Sequence, residues 1–227
     1  EISYIILDHT EPDHSGSLGK LLDLAPEATV VGSGNAIRYL EDMMNKPFRS
    51  LVVKDGDTLD LGGKTLKFIS APNLHWPDSI YTWLEEDKIL FTCDSFGAHY
   101  CNYEMSDELN PEYLSAFKYY FDVILKPFSR YMVKAIDRIR PLDIRYICTG
   151  HGPILKENLG KILQLTEEYA IEYLNITNNI ARRSILIAYV SAYGYTKEGA
   201  ELIAEGIRAT DDFRITIADI ETIDPGE

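Results

Sequence analysis

Four times in this chain an apolar, strand-like run ends in a turn that carries histidine or aspartate. Tyr4–Leu7 leads into Asp8-His9-Thr10-Glu11-Pro12-Asp13-His14. Thr65–Ser70 leads through Ala71-Pro72-Asn73 to His75. Ile89–Thr92 leads to Asp94, and Tyr146–Cys148 leads through Thr149-Gly150 to His151. Strands of one sheet end along a common edge, so groups placed just beyond them converge, and loops at such an edge are where sites are carried. A single histidine after a strand is usually a satisfied polar residue, and Asp13-His14-Ser15-Gly16 alone reads as an N-cap for the next helix. Four such places in one chain favour a site.

The residue types narrow its chemistry. Imidazole binds iron, zinc and copper, whereas carboxylates are hard donors that can bridge two cations. Two metals about 3.5–4 Å apart need a shared anion to offset their repulsion. Asp94, between two histidine-bearing segments, is the expected bridge of a two-metal site. His99 lies outside the pattern and reads as an ordinary or pocket-lining residue.

Further strands are expected at Thr29–Gly32, Ser50–Val53 and Ile80–Leu84, with a hairpin about Gly62-Gly63. Helices are expected at Ser17–Leu24, Asn35–Met44, Pro111–Leu125 (capped by Asn110), Arg130–Arg140 and Glu157–Thr177. The composition of Asn175–Arg183 marks a boundary. Beyond it come an apolar strand, Ser184–Val190, the loop Ser191-Ala192-Tyr193-Gly194-Tyr195-Thr196, and a helix, Lys197–Arg208. A strand, a hydroxyl- and glycine-bearing loop and a helix N-terminus can cradle a phosphate. A plain βα turn is the alternative.

The formal net charge of −14 argues against nucleic acid as a main partner, which needs a clustered basic surface. No run of 18 apolar residues suggests a membrane span. Three cysteines, Cys93, Cys101 and Cys148, with no CxxC pair fit a reducing cytoplasm better than a disulfide framework. The sequence opens inside a strand-like run without an initiator Met, so a segment of a longer protein is expected.

Taken in order, His9-x-Glu11-x-Asp13-His14, His75-Trp76-Pro77-Asp78-Ser79, Cys93-Asp94-Ser95-Phe96-Gly97 and Thr149-Gly150-His151-Gly152-Pro153 resemble the flavodiiron proteins (A-type flavoproteins). The resemblance implies an α+β fold. An αββα metallo-β-lactamase-like sandwich, incomplete at its N-terminus, would occupy residues 1–178. The first βαβ unit of an α/β flavodoxin-like domain would occupy 183–227. It also implies one iron on His9, Glu11 and His75, a second on Asp13, His14 and His151, and Asp94 between them. FMN would place its phosphate on Ser191, Ala192, Tyr193, Gly194, Tyr195 and Thr196. Zinc hydrolases of the superfamily usually carry histidine where Glu11 stands. The carboxylate adds charge and a hard donor, which favours redox-active iron over zinc.

The implied function is reduction of O2 to water, of NO to N2O, or of both, at a non-haem di-iron site fed by FMN. The implied setting is a cytoplasmic head-to-tail homodimer or higher oligomer, supplied by a donor such as rubredoxin or a reduced deazaflavin. Trp76, Phe96 and Tyr100 are expected in a dry pocket or in the core. Residues 184–227 provide one βαβ unit where a doubly wound domain needs about five strands, so this segment alone is expected to hold FMN weakly. Two rival readings stay open: a dinuclear zinc hydrolase, and a segment with a binding role and no activity.

Overall fold

The structure is a computed structural model that describes residues 2–178, 184–210 and 213–222. It divides into two compact units, Glu1–Leu174 and Asn175–Glu227. The stretch 179–183, within the expected boundary, lies outside the described residues.

The first unit begins with a parallel three-stranded sheet, in the order β1 (Tyr4–Ile6), β2 (Thr29–Gly32), β3 (Ser50–Val52). Parallel neighbours need crossovers. Helices α1 (Pro12–Ser15) and α2 (Leu18–Leu24) make the first, and α3 (Gly34–Met44) the second. Ser33 caps α3 by accepting from the Ala36 N–H, and Asn45 ends it in the left-handed region at φ 47°. Alternation along the strands decides which layer each residue joins. Ile5, Leu7 and Val30 pack under Leu18, Leu22, Ile37 and Leu40 of the helices. Ile6 and Val31 face the other way, against Leu66, Phe68 and Ile80.

Those last residues belong to a second sheet of five strands: β4 (Thr58–Asp60), β5 (Thr65–Ser70), β6 (Ile80–Leu84), β7 (Ile89–Cys93) and β8 (Tyr146–Thr149). The first four form an antiparallel meander, and β8 joins parallel to β7. Ile69, Tyr81, Trp83, Leu90 and Ile147 on its outer face pack into a large cluster with helix residues. The helices are α4 (Pro111–Tyr120), α5 (Ser129–Ile139) and α6 (Leu159–Asn178). The layers are therefore helix, sheet, sheet, helix.

One expected helix differs in its second half. The α-helix begun by Pro111, with Asn110 accepting from the Tyr113 N–H at 2.8 Å, stops at Tyr120. Phe121–Leu125 form a π-helical turn and Lys126–Phe128 a 3-10 turn. Pro127 supplies no N–H to continue the ladder, while Tyr120, Phe121 and Leu125 all stay buried.

In the second unit, β9 (Ser184–Tyr189) and β10 (Arg214–Asp219) pair in parallel, joined by α7 (Tyr195–Arg208). This is one βαβ unit. Helix α7 starts two residues before the expected Lys197. Gly194, at φ 87°, makes the left-handed turn that brings Tyr195 and Thr196 into the first helical turn.

Candidate metal centre

The strand ends do converge. Beyond β1 the chain carries His9 and Glu11, then turns through Pro12 into α1, which holds Asp13 and His14. Neither Asp13 nor His14 caps a helix, since the caps of α1 and α2 are Glu11 and Ser17 without side-chain bonds. The N-cap alternative is thus not what these residues do. His75 comes from the β5–β6 turn, Asp94 from the end of β7, and His151 from the turn after β8. Cys93, at φ 48°, turns the chain out of β7 and delivers Asp94 into the site.

Asp94 stands at the centre, 1% exposed. Its Oδ1 lies 2.9 Å from His14 Nε2 and 3.3 Å from His151 Nε2. Its Oδ2 lies 3.4 Å from both His9 Nε2 and His75 Nε2. Glu11 Oε2 approaches His75 Nε2 at 3.0 Å, and Asp13 Oδ2 approaches His151 Nε2 at 3.3 Å. Ligand atoms of His9, Glu11, His75 and Asp94 fall within 4.8 Å of one another, and so do those of Asp13, His14 and His151. All seven metal-ligating residues proposed from the sequence thus meet, in two groups with Asp94 between them.

The electrostatics suit a cation. Asp94 Oδ2 is buried without any hydrogen bond, an expensive state for a carboxylate oxygen unless a positive charge faces it. Burial alone would raise the Asp94 carboxyl, but His14 and His75 outweigh it and hold the group well below the ordinary carboxylate range. In return Asp94 raises both imidazoles, against the opposing pull of burial.

The order of the site extends one layer out. His9 Nδ1 donates to Asp78, at 3.2 Å from Oδ1 and 3.1 Å from Oδ2, which leaves the Nε2 lone pair facing inward. Asp78 is 0% exposed and also accepts from the Thr10 N–H and hydroxyl, both at 2.8 Å. Burial works to raise the Asp78 carboxyl, and the bonds from His9 and Thr10 bring it below its ordinary value. Beneath the site, burial pushes the Asp8 carboxyl up to about 7, opposed by a hydrogen bond from Thr82.

In the sequence Asp78 stands only as part of the His75–Ser79 motif. Its period-2 spacing from Ile80 in β6 does not reveal a carboxylate aimed back at His9. Of the three expected pocket aromatics, Trp76 alone touches a ligand, edge-on to His9 at 5.1 Å. Phe96 packs on Tyr81, and Tyr100 packs on Tyr113 and accepts from Asn110. His99 does reach the site, with its ring 5.0 Å from His151 and 4.9 Å from Tyr120.

The phosphate-loop residues are also placed. Ala192, Tyr193, Gly194, Tyr195 and Thr196 are exposed ahead of or on the first turn of α7. Ser191 Oγ is buried without a hydrogen-bond partner.

The family described as ODP family beta lactamase matches residues 1–152. This chain belongs to that family. It is 43% identical over 231 residues to a protein named Flavo-diiron protein FprA2 from Clostridium acetobutylicum, covering 98% of this chain and 56% of the relative. Among solved structures, the metal-soaked Flv1 flavodiiron core from Synechocystis sp. PCC6803 superposes with a TM-score of 0.73 at 30% identity, over 98% of this chain and 55% of that one. Rubredoxin oxygen:oxidoreductase from Desulfovibrio gigas superposes at 0.71 with 26% identity, over 98% and 55%. This ODP-family chain therefore spans about half the length of these relatives. They bear out the flavodiiron resemblance and the metallo-β-lactamase-like fold that it implies.

Proposed function

We propose that this chain carries the di-iron site of a flavodiiron oxidoreductase that reduces O2 to water, NO to N2O, or both. The observation that carries the reading is the division of Asp94: one oxygen serves His9 and His75, the other His14 and His151, and Oδ2 has no hydrogen bond. His9, Glu11 and His75 would hold one iron, and Asp13, His14 and His151 the other. Bound there, the pair supplies one-electron redox centres beside which a diatomic gas is reduced.

The surrounding residues have separable tasks. Asp78 fixes the tautomer and orientation of His9. Trp76 covers His9, and Phe128 stands 6.2 Å from His75, so both keep water from that side. Burial pushes the Tyr120 phenol well above its ordinary value, so it holds its proton at Oη beside His151, 5.9 Å ring to ring. Asp13, with its side chain 50% exposed, marks the open side.

In the second unit, Ser191–Thr196 would take the phosphate of FMN, with the Ser191 hydroxyl and the α7 N-terminus as donors. The name of the Desulfovibrio relative supports O2 as substrate and rubredoxin as electron donor. Glu11, a hard carboxylate donor within the ligand set, weighs against the zinc-hydrolase reading.

The test is anaerobic reconstitution with Fe(II), followed by metal analysis and amperometric O2 and NO consumption with chemically reduced FMN. Two irons per chain and gas consumption support the reading. Zinc-dependent phosphodiesterase activity without gas consumption by the iron form overturns it.

A further inference from the structure

We propose that Asp107 is a positioning residue: it locks the His151 loop to the Asp94 loop and so sets the affinity of the Asp13–His14–His151 position for its metal. The inference rests on the two-metal reading above.

Asp107 is 4% exposed, and among the described residues it pairs with no cationic side chain. Its Oδ1 accepts from the backbone N–H of Lys156 at 2.6 Å and of Glu157 at 3.0 Å, and its Oδ2 from that of Asn158 at 2.8 Å. These three amides lie just ahead of α6, where the helix dipole favours an anion. A carboxylate this buried is costly unless fully bonded, so its partners fix where the loop can go.

The main chain around it is zipped to the same loop. The Asp107 N–H donates to the Ile154 carbonyl at 3.0 Å, and the Ile154 N–H donates to the Met105 carbonyl at 2.8 Å. At the other end of the seam, the Ala98 N–H donates to the His151 carbonyl at 3.1 Å. Gly152, at φ 90°, sits where a Cβ would lie 2.7 Å from the Ala98 carbonyl oxygen. One seam thus runs from His151 at the site to Asn158 at its far end, and Asp107 closes it. The His9–Glu11–His75 position is braced by Asp78 instead and shares no residue with this seam. Opening the seam frees His151 and leaves the other position intact.

The test uses the full chain and its Asp107→Ala and Asp107→Asn variants, titrated anaerobically with Co(II) and read by visible absorption and calorimetry. In both variants the first equivalent, expected at the more buried His9–Glu11–His75 position, binds as in the unaltered chain. The second weakens by about 10- to 100-fold in the Ala variant, the range seen for outer-sphere ligand supports, and by less in the Asn variant. The proposal is overturned if the second equivalent is unchanged, or if both weaken by the same factor, as general loss of stability would produce. Should neither variant fold, hydrogen exchange on the unaltered chain decides. The Lys156, Glu157 and Asn158 amides must be protected, and more so after the second equivalent but not the first. Fast exchange there, or no response to the second equivalent, overturns it. An unaltered chain that takes up fewer than two equivalents sinks the two-metal reading itself, and this inference with it.

Discussion

Oδ1 of Asp94 lies 2.9 Å from Nε2 of His14, a residue 80 positions earlier in the chain. The contact joins the end of β7 to α1, which rises from the edge of the other sheet. Among the described residues, Asp94 is the carboxylate whose two oxygens are divided between the ligand groups. Asp94→Asn keeps its shape and removes its charge. It is expected to abolish binding of the second metal and weaken the first by at least about tenfold, read by metal analysis after dialysis. Retention of two metals per chain would show that Asp94 does not bridge.

Asp78 has a different signature. Asp78→Ala leaves His9 Nδ1 and two Thr10 donors without their acceptor. Stability is expected to fall by about 1–3 kcal/mol, and metal affinity at the His9 position by about 10- to 100-fold. Thermal unfolding without metal and metal titration separate the two effects. Full affinity in a destabilised variant would limit Asp78 to a structural role.

Protonation and metal should pull stability in opposite directions. In the metal-free chain His14 and His75 are raised above the ordinary histidine value of 6.5 by Asp94. Their folded forms hold protons more tightly than the unfolded chain does. The stabilisation is therefore complete below 6.5 and is lost as pH rises through the raised values. The depressed Asp94 carboxyl loses its contribution only as pH falls through its low folded value, outside this window. Metal binding needs the imidazoles deprotonated, so it stabilises more as pH rises. Between about pH 6 and 8 the Tm of the chelator-treated chain should fall and that of the metal-loaded chain should rise. Parallel curves would contradict the assignment of these histidines as ligands.

Much of this was readable in the sequence because the determinants are local. Strands β2, β5 and β6 occupy the residues that their apolar runs mark, Thr29–Gly32, Thr65–Ser70 and Ile80–Leu84, and β8 extends the run Tyr146–Cys148 by one residue. The seven proposed ligands were legible because their motifs each follow a strand end in the sequence. What escaped depends on pairings distant in the chain. Asp78 reaches His9 across 69 positions, and Asp107 reaches Asn158 across 51. Neither carries a periodic or turn signal. The π-turn at Phe121–Leu125 escaped for another reason: helical periodicity persists while the hydrogen-bond pattern beneath it changes.

Glu11 is proposed to select the metal rather than to support the fold. Its Oε2 lies 3.0 Å from His75 Nε2 and its side chain is 34% exposed, so a different side chain can be accommodated. Glu11→His exchanges a hard anionic donor for a neutral imidazole. The ratio of Zn(II) to Fe(II) affinity is expected to rise by about tenfold or more, read by competition under anaerobic conditions, with the Tm of the metal-free chain little changed. An unchanged ratio would remove the argument that this position selects iron.

Gly150 tests how tightly the site is packed. A Cβ there would lie 2.8 Å from His14 Cε1 and 3.2 Å from the Cys93 carbonyl carbon, while the Gly150 N–H is held by the Cys93 carbonyl oxygen at 2.6 Å. The backbone on one side cannot yield easily, so the His14 ring must move. Because His14 shares Asp94 Oδ1 with His151, that movement opens the Asp13–His14–His151 group and spares the other. Gly150→Ala is expected to cost about 1–3 kcal/mol from overpacking and to lose the second metal equivalent selectively. Gly160→Ala is the control, because it lies in α6 with nothing within 4 Å of its Cβ position. That change should add about 0.4–1 kcal/mol and leave both equivalents in place. A Gly150→Ala chain that binds two metals as tightly as the control would mean that His14 stands outside the coordination sphere.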